Sequence, residues 1–416
     1  MRSSLATGVR AALAVSLIAG CSTSQQSTST LPGSAGGTQS VFSQQAMSRD
    51  SLKGPLTPMK MLKLQAEGKL AGPVPRAASE KALKYLEAHR NPKFDVRREA
   101  GPSKLWVSNT DFSYLLGQNG SGSQTVQAVN TADDGCYAPI TVKTDSNGNI
   151  FTACEANTSG YGSQEQEYNS SGSASASYAW TPPSSACPPS ATGCFAEQYD
   201  GGPDGLGHVY AEMSLNQYYT CSGYSCYYYV GTPGFYWFDE NSPSSTPTLI
   251  PVPGSGSLVV YYVYYMATDS SGNIWFDYTG CEGSSSCGAG LAEITNPTTA
   301  PAFVPIFPPT TYGFPGGVTI HGSTLSVTDQ VTRSTYQYHL PVTPYSTPFQ
   351  TLGPTATGIS GNGDPVTGNY NGSGSQLIQG DGYGWLDITK THTNGQKAKV
   401  NLDDLPGLEG AAFVPR

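Results

Sequence analysis

From Leu105 to the C-terminus, apolar and polar residues alternate in short runs broken by Gly, Asn, Asp and Pro, the pattern of half-buried β-strands joined by tight turns. One unit recurs: residues 140–153 read ITVKTDSNGNIFTA, residues 265–277 read YMATDSSGNIWFD, and residues 318–327 give a fainter version, VTIHGSTLSV. Each predicts strand, tight turn, strand. In the Asp-Ser-x-Gly-Asn element the Asp and Ser side chains hold the turn, and the glycine takes the positive φ that closes it. Asp145 and Asp269 therefore read as turn residues before they read as ligands. Two more strand-like runs follow the hairpins, as at Leu291 to Ile294 and Phe303 to Phe307, which makes units of four strands.

Such units span about 136–182, 187–254, 258–308, 312–353 and 354–403. A further unit opens at Leu105 without its innermost strand, and Gly410 to Val414 has the character to supply it. Four-stranded units repeated radially are propeller blades, and a C-terminal strand that closes the first blade leaves no open edge. The fold expected for 105–416 is thus all-β, a six-bladed β-propeller. Seven blades is the rival count, because two of the units contain long insertions.

The first hundred residues follow different rules. Arg2 and Arg10 flank a short apolar run, Ala11 to Ala19, which suits an export signal and is too short to span a bilayer. It ends in Leu17-Ile18-Ala19-Gly20-Cys21, which resembles the lipobox of bacterial lipoproteins. That resemblance implies cleavage before Cys21 and a diacylglyceryl group, with palmitate-type chains, on its thiol. The membrane would then be a partner through the Cys21 lipid, at the extracytoplasmic face of the outer or cytoplasmic membrane. Residues 1–20 are read as the signal peptide and 21–57 as a disordered tether. Residues 58–104 are read as a basic spacer, partly helical at Met59 to Glu67 and Ser79 to His89.

Composition sharpens this. Only 12% of residues are charged, while Gly (49), Pro (31) and Tyr (26) abound, which favours strands and turns over helices. Residues 53–104 hold twelve Lys/Arg against five Asp/Glu, whereas 105–416 hold six against twenty-four. An acidic body of this kind excludes nucleic acid as its partner, since phosphate binding needs clustered cations. Nine cysteines become eight once Cys21 carries lipid, and they fall into local pairs: Cys136/Cys154, Cys187/Cys194, Cys221/Cys226 and Cys281/Cys287. In an oxidising compartment this suggests four disulfides, paired by proximity alone, and the spacings lack the C-x₂-C of zinc sites. A monomer is expected.

Candidate chemistry is sparse. The chain lacks a G-x-S-x-G elbow, an H-E-x-x-H helix, a Walker loop and a dinucleotide fingerprint. Asp200-Gly-Gly-Pro-Asp204-Gly-Leu-Gly-His208 could place two carboxylates and an imidazole around a hard cation such as Ca²⁺, or else form a polar loop held by Asx turns. No cofactor is firmly implied. His321 falls at the turn after an innermost strand. Tyr218, Tyr219, Tyr224, Tyr227, Tyr228, Tyr229, Tyr236 and Trp237 crowd the second unit, followed by Tyr261, Tyr262, Tyr264 and Tyr265. Alternate members must face opposite ways, so part of the set packs between blades. The exposed part, with Tyr227, Tyr229 and Trp237 as candidates, suits a glycan or an envelope protein.

The repeated strand-Asp-Ser-x-Gly-Asn-Ile-Trp/Phe-strand unit resembles the NHL, SMP-30/gluconolactonase and streptogramin-lyase-like six-bladed propellers over about 105–416. That resemblance implies the fold. Its enzymatic members are metal-dependent lactonases and lyases with carboxylate, Asn or His ligands converging on the central channel, and no such set matches here residue by residue. The reading is therefore a binding or scaffold module at the cell envelope, with a metal-dependent lyase or hydrolase as the alternative.

Overall fold

The computed structural model describes residues 47–48 and 104–415, apart from 111–112, 119–124, 157–162, 181–190, 214, 223–224, 230–232, 253, 284–285, 354–364, 381–384, 393–394 and 402–407. The expected signal peptide, Cys21, most of the tether and both helical stretches lie outside the described residues. Among the described residues the one helical turn is Thr131–Asp134.

Six four-stranded antiparallel sheets form the ring, each ordered from innermost to outermost strand. Blade 1 takes its innermost strand, Leu408–Phe413, from the end of the chain, followed by Leu105–Asn109, Tyr114–Gln118 and Thr125–Asn130. Blade 2 is Tyr137–Thr144, Ile150–Ala156, Ser163–Tyr168 and Ala174–Trp180. Blade 3 is Gly201–Pro203, His208–Met213, Gly234–Asp239 and Thr248–Pro251. Blade 4 is Leu258–Thr268, Ile274–Glu282, Ser286–Thr295 and Ala302–Tyr312. Blade 5 is Pro315–His321, Thr324–Asp329, Ser334–His339 and Gln350–Leu352. Blade 6 is Val366–Tyr370, Gln376–Gly380, Trp385–Lys390 and Gly395–Asn401.

Strand alternation assigns side chains to the two faces of each blade. In blade 1, Trp106 packs with Val142, Ile150 and Tyr168 of blade 2, while Leu105 and Val107 pack with Ile378, Leu386 and Ile388 of blade 6. In blade 4, Phe276 packs toward Tyr210 and Phe235 of blade 3, while its neighbour Trp275 packs toward Val318 and Leu325 of blade 5. Burying a large apolar side chain stabilises by about 1.5–3 kcal/mol, so these interfaces hold the ring together.

Closure follows the expectation from the sequence. Leu105 pairs with Phe413 and Val107 with Ala411. Ser108 locks the seam: its Oγ accepts from Gly410 N at 2.8 Å and donates to Ile140 O of blade 2 at 2.6 Å. Gly410 is required there, because a Cβ would lie 2.5 Å from Thr141 Cα and 2.6 Å from Ile140 O.

The seventh sheet is not a blade. Strands Ala191–Glu197, Leu215–Ser222 and Ser225–Tyr229 form it, with Met47–Ser48 added at the edge opposite Ser225 and Cys226. Leu215–Ser222 and Ser225–Tyr229 are inserted between the second and third strands of blade 3, and Ala191–Glu197 precedes that blade's innermost strand.

The expected disulfides Cys136–Cys154 and Cys281–Cys287 are present, with Cα–Cα separations of 5.2 and 4.0 Å. Cys221 and Cys226 are opposite residues of one hairpin. Cys187 lies outside the described residues, as does any bond it makes to Cys194.

Candidate functional site

In blades 2 to 6 the innermost strand runs from one end of the central channel, the mouth end, to the other, the turn end, where a tight hairpin returns it; the innermost strand of blade 1 is the last strand of the chain. At the turn end the repeated motif does what its sequence requires. Asp145 Oδ1 accepts from Asn147 N and Asn149 N at 2.9 and 2.8 Å, and Asp269 Oδ1 accepts from Ser271 N and Asn273 N at 2.8 and 3.1 Å. Gly148 and Gly272 both take φ near +82°. Asp204 repeats the arrangement, accepting from Leu206 N and His208 N at 2.7 and 3.0 Å while its Oδ2 lies 2.8 Å from His208 Nδ1.

Asp200 does not join that pair. It precedes the innermost strand of blade 3 and sits at the mouth end, fully buried, with Asp204 beyond the other end of the strand. Its Oδ2 accepts from Lys143 Nζ at 2.9 Å and Met266 N at 2.7 Å, and its Oδ1 accepts from Gly201 N at 2.8 Å. Among the described residues no three His, Cys, Asp or Glu side chains converge as metal ligands. His321 stands at the turn end of blade 5, its ring 5.5 Å from Tyr370 of blade 6. Trp237 packs against the core between blades 3 and 4, 5.1 Å edge-on to His208. Tyr227 and Tyr229 lie on the inserted sheet opposite Thr220 and Tyr218, and their side chains are outside the description.

The mouth end gathers residues that the motif search passed over. Lys143, whose backbone stands beside the Asp145 turn of blade 2, reaches Asp200 of blade 3 with its ammonium and donates to Met266 O of blade 4 at 2.6 Å, so one ammonium ties three blades. Below it Glu165, fully buried, accepts from Gln198 Nε2 at 2.7 Å, and its Oε1 has no partner. Burial, then the Asp200 charge, pushes the Glu165 carboxyl well above its usual range, against the opposing pull of Lys143 and Gln198. Asp277, also buried, accepts from Tyr265 N at 2.8 Å in its own blade and from Gly317 N at 3.2 Å in the next, and burial pushes its carboxyl up as well. Asp329 accepts from Gly313 N and Phe314 N, both at 3.1 Å, and Glu212 accepts from Tyr199 N at 2.8 Å.

Above these carboxylates lies an apolar cluster drawn from five blades, its rings from blades 3, 4 and 5. Ile140, Tyr262, Tyr264, Tyr265 and Val366 are buried in it, and Tyr199, Tyr261 and Phe314 are partly exposed on it. Tyr264 is the hub: Tyr199 stands 5.2 Å away at 49°, Phe314 5.4 Å away at 62°, and Tyr262 5.8 Å away at 35°. Half-buried Glu409, on the closing strand of blade 1, adds a carboxylate close enough to help raise the Tyr265 phenol, after burial.

One signal for this site was present in the sequence. Lys143 is the sole Lys or Arg between residues 105 and 332, and a single cation in so acidic a stretch marks a place where acids converge. Nothing local marks Asp200, Asp277 or Asp329 as partners of backbone amides far along the chain.

No protein-family profile and no curated protein matches the chain. Among solved structures it is similar to a chain of a nidogen–laminin complex, with TM-score 0.46 and 11% identity, covering 75% of this chain and 98% of that one. It is also similar to a luciferin-regenerating enzyme, with TM-score 0.41 and 11% identity, covering 66% and 80%.

Proposed function

We propose that this chain is an exported lipoprotein, anchored through lipid on Cys21, whose six-bladed propeller is an NHL-like binding or scaffold module at the cell envelope with the channel mouth as its binding face. One observation carries the reading: both oxygens of Asp200, Asp277 and Asp329 already hold backbone amides or Lys143, while rings from blades 3, 4 and 5 cover the mouth. Acids so engaged give up little to a hard cation, whereas rigid, partly exposed rings offer contact area at low entropic cost.

The test uses the Cys21→Ala protein, prepared soluble, and calorimetric titration with a panel of envelope saccharides and peptides. A saturable ligand is expected, lost in Tyr199→Ala and retained in the turn-end variant His321→Ala. Divalent-metal-dependent turnover of a lactone panel, abolished by Asp200→Asn, would overturn the reading in favour of a hydrolase. For the anchor, the native protein should fractionate with membranes and Cys21→Ala should not.

A further inference from the structure

We infer that the channel mouth binds an organic ammonium group, held against the faces of Tyr199, Tyr261 and Phe314 with Glu409 as its counter-charge. The inference rests on the mouth being the binding face and adds the chemistry of what binds there.

Three features lead to it. The partly exposed rings come from blades 3, 4 and 5 and pack around the buried hub Tyr264, with Tyr199 inclined to it at 49° and Phe314 at 62°. Aromatic faces carry negative electrostatic potential and attract weakly hydrated cations. The charge around them has one dominant sign: Glu409 is the acid that acts most strongly on Tyr265, with Asp277 and Asp200 behind it. Two described cations stand at this end: Lys143, committed to Asp200 and to Met266 O, and Arg333, in the blade 5 turn that follows Asp329. The body as a whole, with six Lys/Arg against twenty-four Asp/Glu over 105–416, adds long-range attraction for a cation.

The same features disfavour other ligands. An anion meets Glu409, and the one described lysine near the mouth, Lys143, is already held by Asp200. A hard metal ion seeks several oxygens at once, and the ring faces supply none. A neutral sugar gains from stacking but nothing from the acid. A quaternary or primary ammonium gains from both.

The probes are choline and its neutral isostere 3,3-dimethyl-1-butanol, with N-acetyl-lysine methylamide in a third arm to separate quaternary heads from lysine side chains. Binding to the Cys21→Ala protein is followed by calorimetry and by NMR line broadening of the probe. At least one of the two cations is expected to bind tenfold or more tighter than the neutral isostere. Tyr199→Leu and Phe314→Leu, which keep apolar bulk but remove the ring, should each weaken it about three- to tenfold. Glu409→Gln should weaken cation binding while leaving the isostere unchanged. Tyr345→Leu, at a tyrosine 92% exposed on blade 5, should change nothing. Equal affinity for choline, lysine derivative and isostere, or cation binding untouched by both ring variants in folded protein, overturns the inference. Saccharide or peptide binding lost in Tyr199→Ala without any ammonium binding would overturn this inference and leave the mouth as a binding face. Absence of every ligand would remove both.

Discussion

At the turn end of the ring, Asp269 accepts from amides two and four residues ahead of it and from the indole of Trp275 at 3.1 Å. At the mouth end, Asp277 accepts from an amide twelve residues behind and another forty residues ahead, in a different blade. Both are aspartates of one hairpin, yet one shapes a turn and the other joins two blades. Cys136–Cys154 and Cys281–Cys287 both lie toward the mouth end. The turn end is held by local geometry, and the mouth end by contacts between distant parts of the chain. That difference leaves the turn end alike in blades 2, 3 and 4 and the mouth end free to vary, which is where a binding surface can be built.

The sharpest way to break this comparison is to exchange the two aspartates for alanine. Asp277→Ala leaves the amides of Tyr265 and Gly317 buried without an acceptor, and should cost about 4 kcal/mol by urea unfolding at pH 5. Asp277→Asn, which keeps one acceptor, should cost about half as much. Equal losses in Asp277→Ala and Asp269→Ala would show that the two ends are not built differently.

Next in size is the disulfide at the mouth of blade 2. Cys136→Ala with Cys154→Ala releases a loop of 18 residues and should cost about 3 kcal/mol, against about 2 kcal/mol for the six-residue loop of Cys281 and Cys287. Thermal melts of the two double variants measure the order directly.

Legibility in the sequence follows the same division. The Asp-Ser-x-Gly-Asn hairpins, the blade units and the closing strand all rest on contacts close in sequence or on strict alternation, and Asp145 and Asp269 behave as their local patterns require. The mouth was not legible, because Asp200, Glu212 and Asp277 look like any acid on a strand until the ring brings Met266, Tyr199 and Gly317 to them. Asp200 shows how local reading misleads: it is four residues from Asp204 and so suggests a shared site, but the innermost strand between them carries the two to opposite ends. The inserted sheet was hidden for a related reason, since its tyrosines give the same alternation as a blade strand.

A smaller effect is expected at the turn end itself. Asp269→Ala removes an Asx turn whose amides are partly open to water, so about 1 kcal/mol should be lost, with blade 4 otherwise intact. Asp269→Asn should recover most of it, because the amide oxygen still accepts from Ser271 and Asn273.

The finest test of the comparison is its pH dependence. Glu165 binds its proton more tightly in the folded ring than in the unfolded chain, since burial and Asp200 together outweigh Lys143 and Gln198. The stabilisation from that group is therefore complete below the ordinary carboxyl range, about pH 4, and is lost as pH rises through the raised folded value. Glu165→Gln keeps the acceptor for Gln198 and cannot ionise. Its melting temperature should match the wild type near pH 4 and exceed it by a margin that widens toward pH 8. A wild type that gained stability over Glu165→Gln as pH rose would mean that Lys143 dominates the pocket, and that the mouth end is organised around the cation instead of around the buried acid.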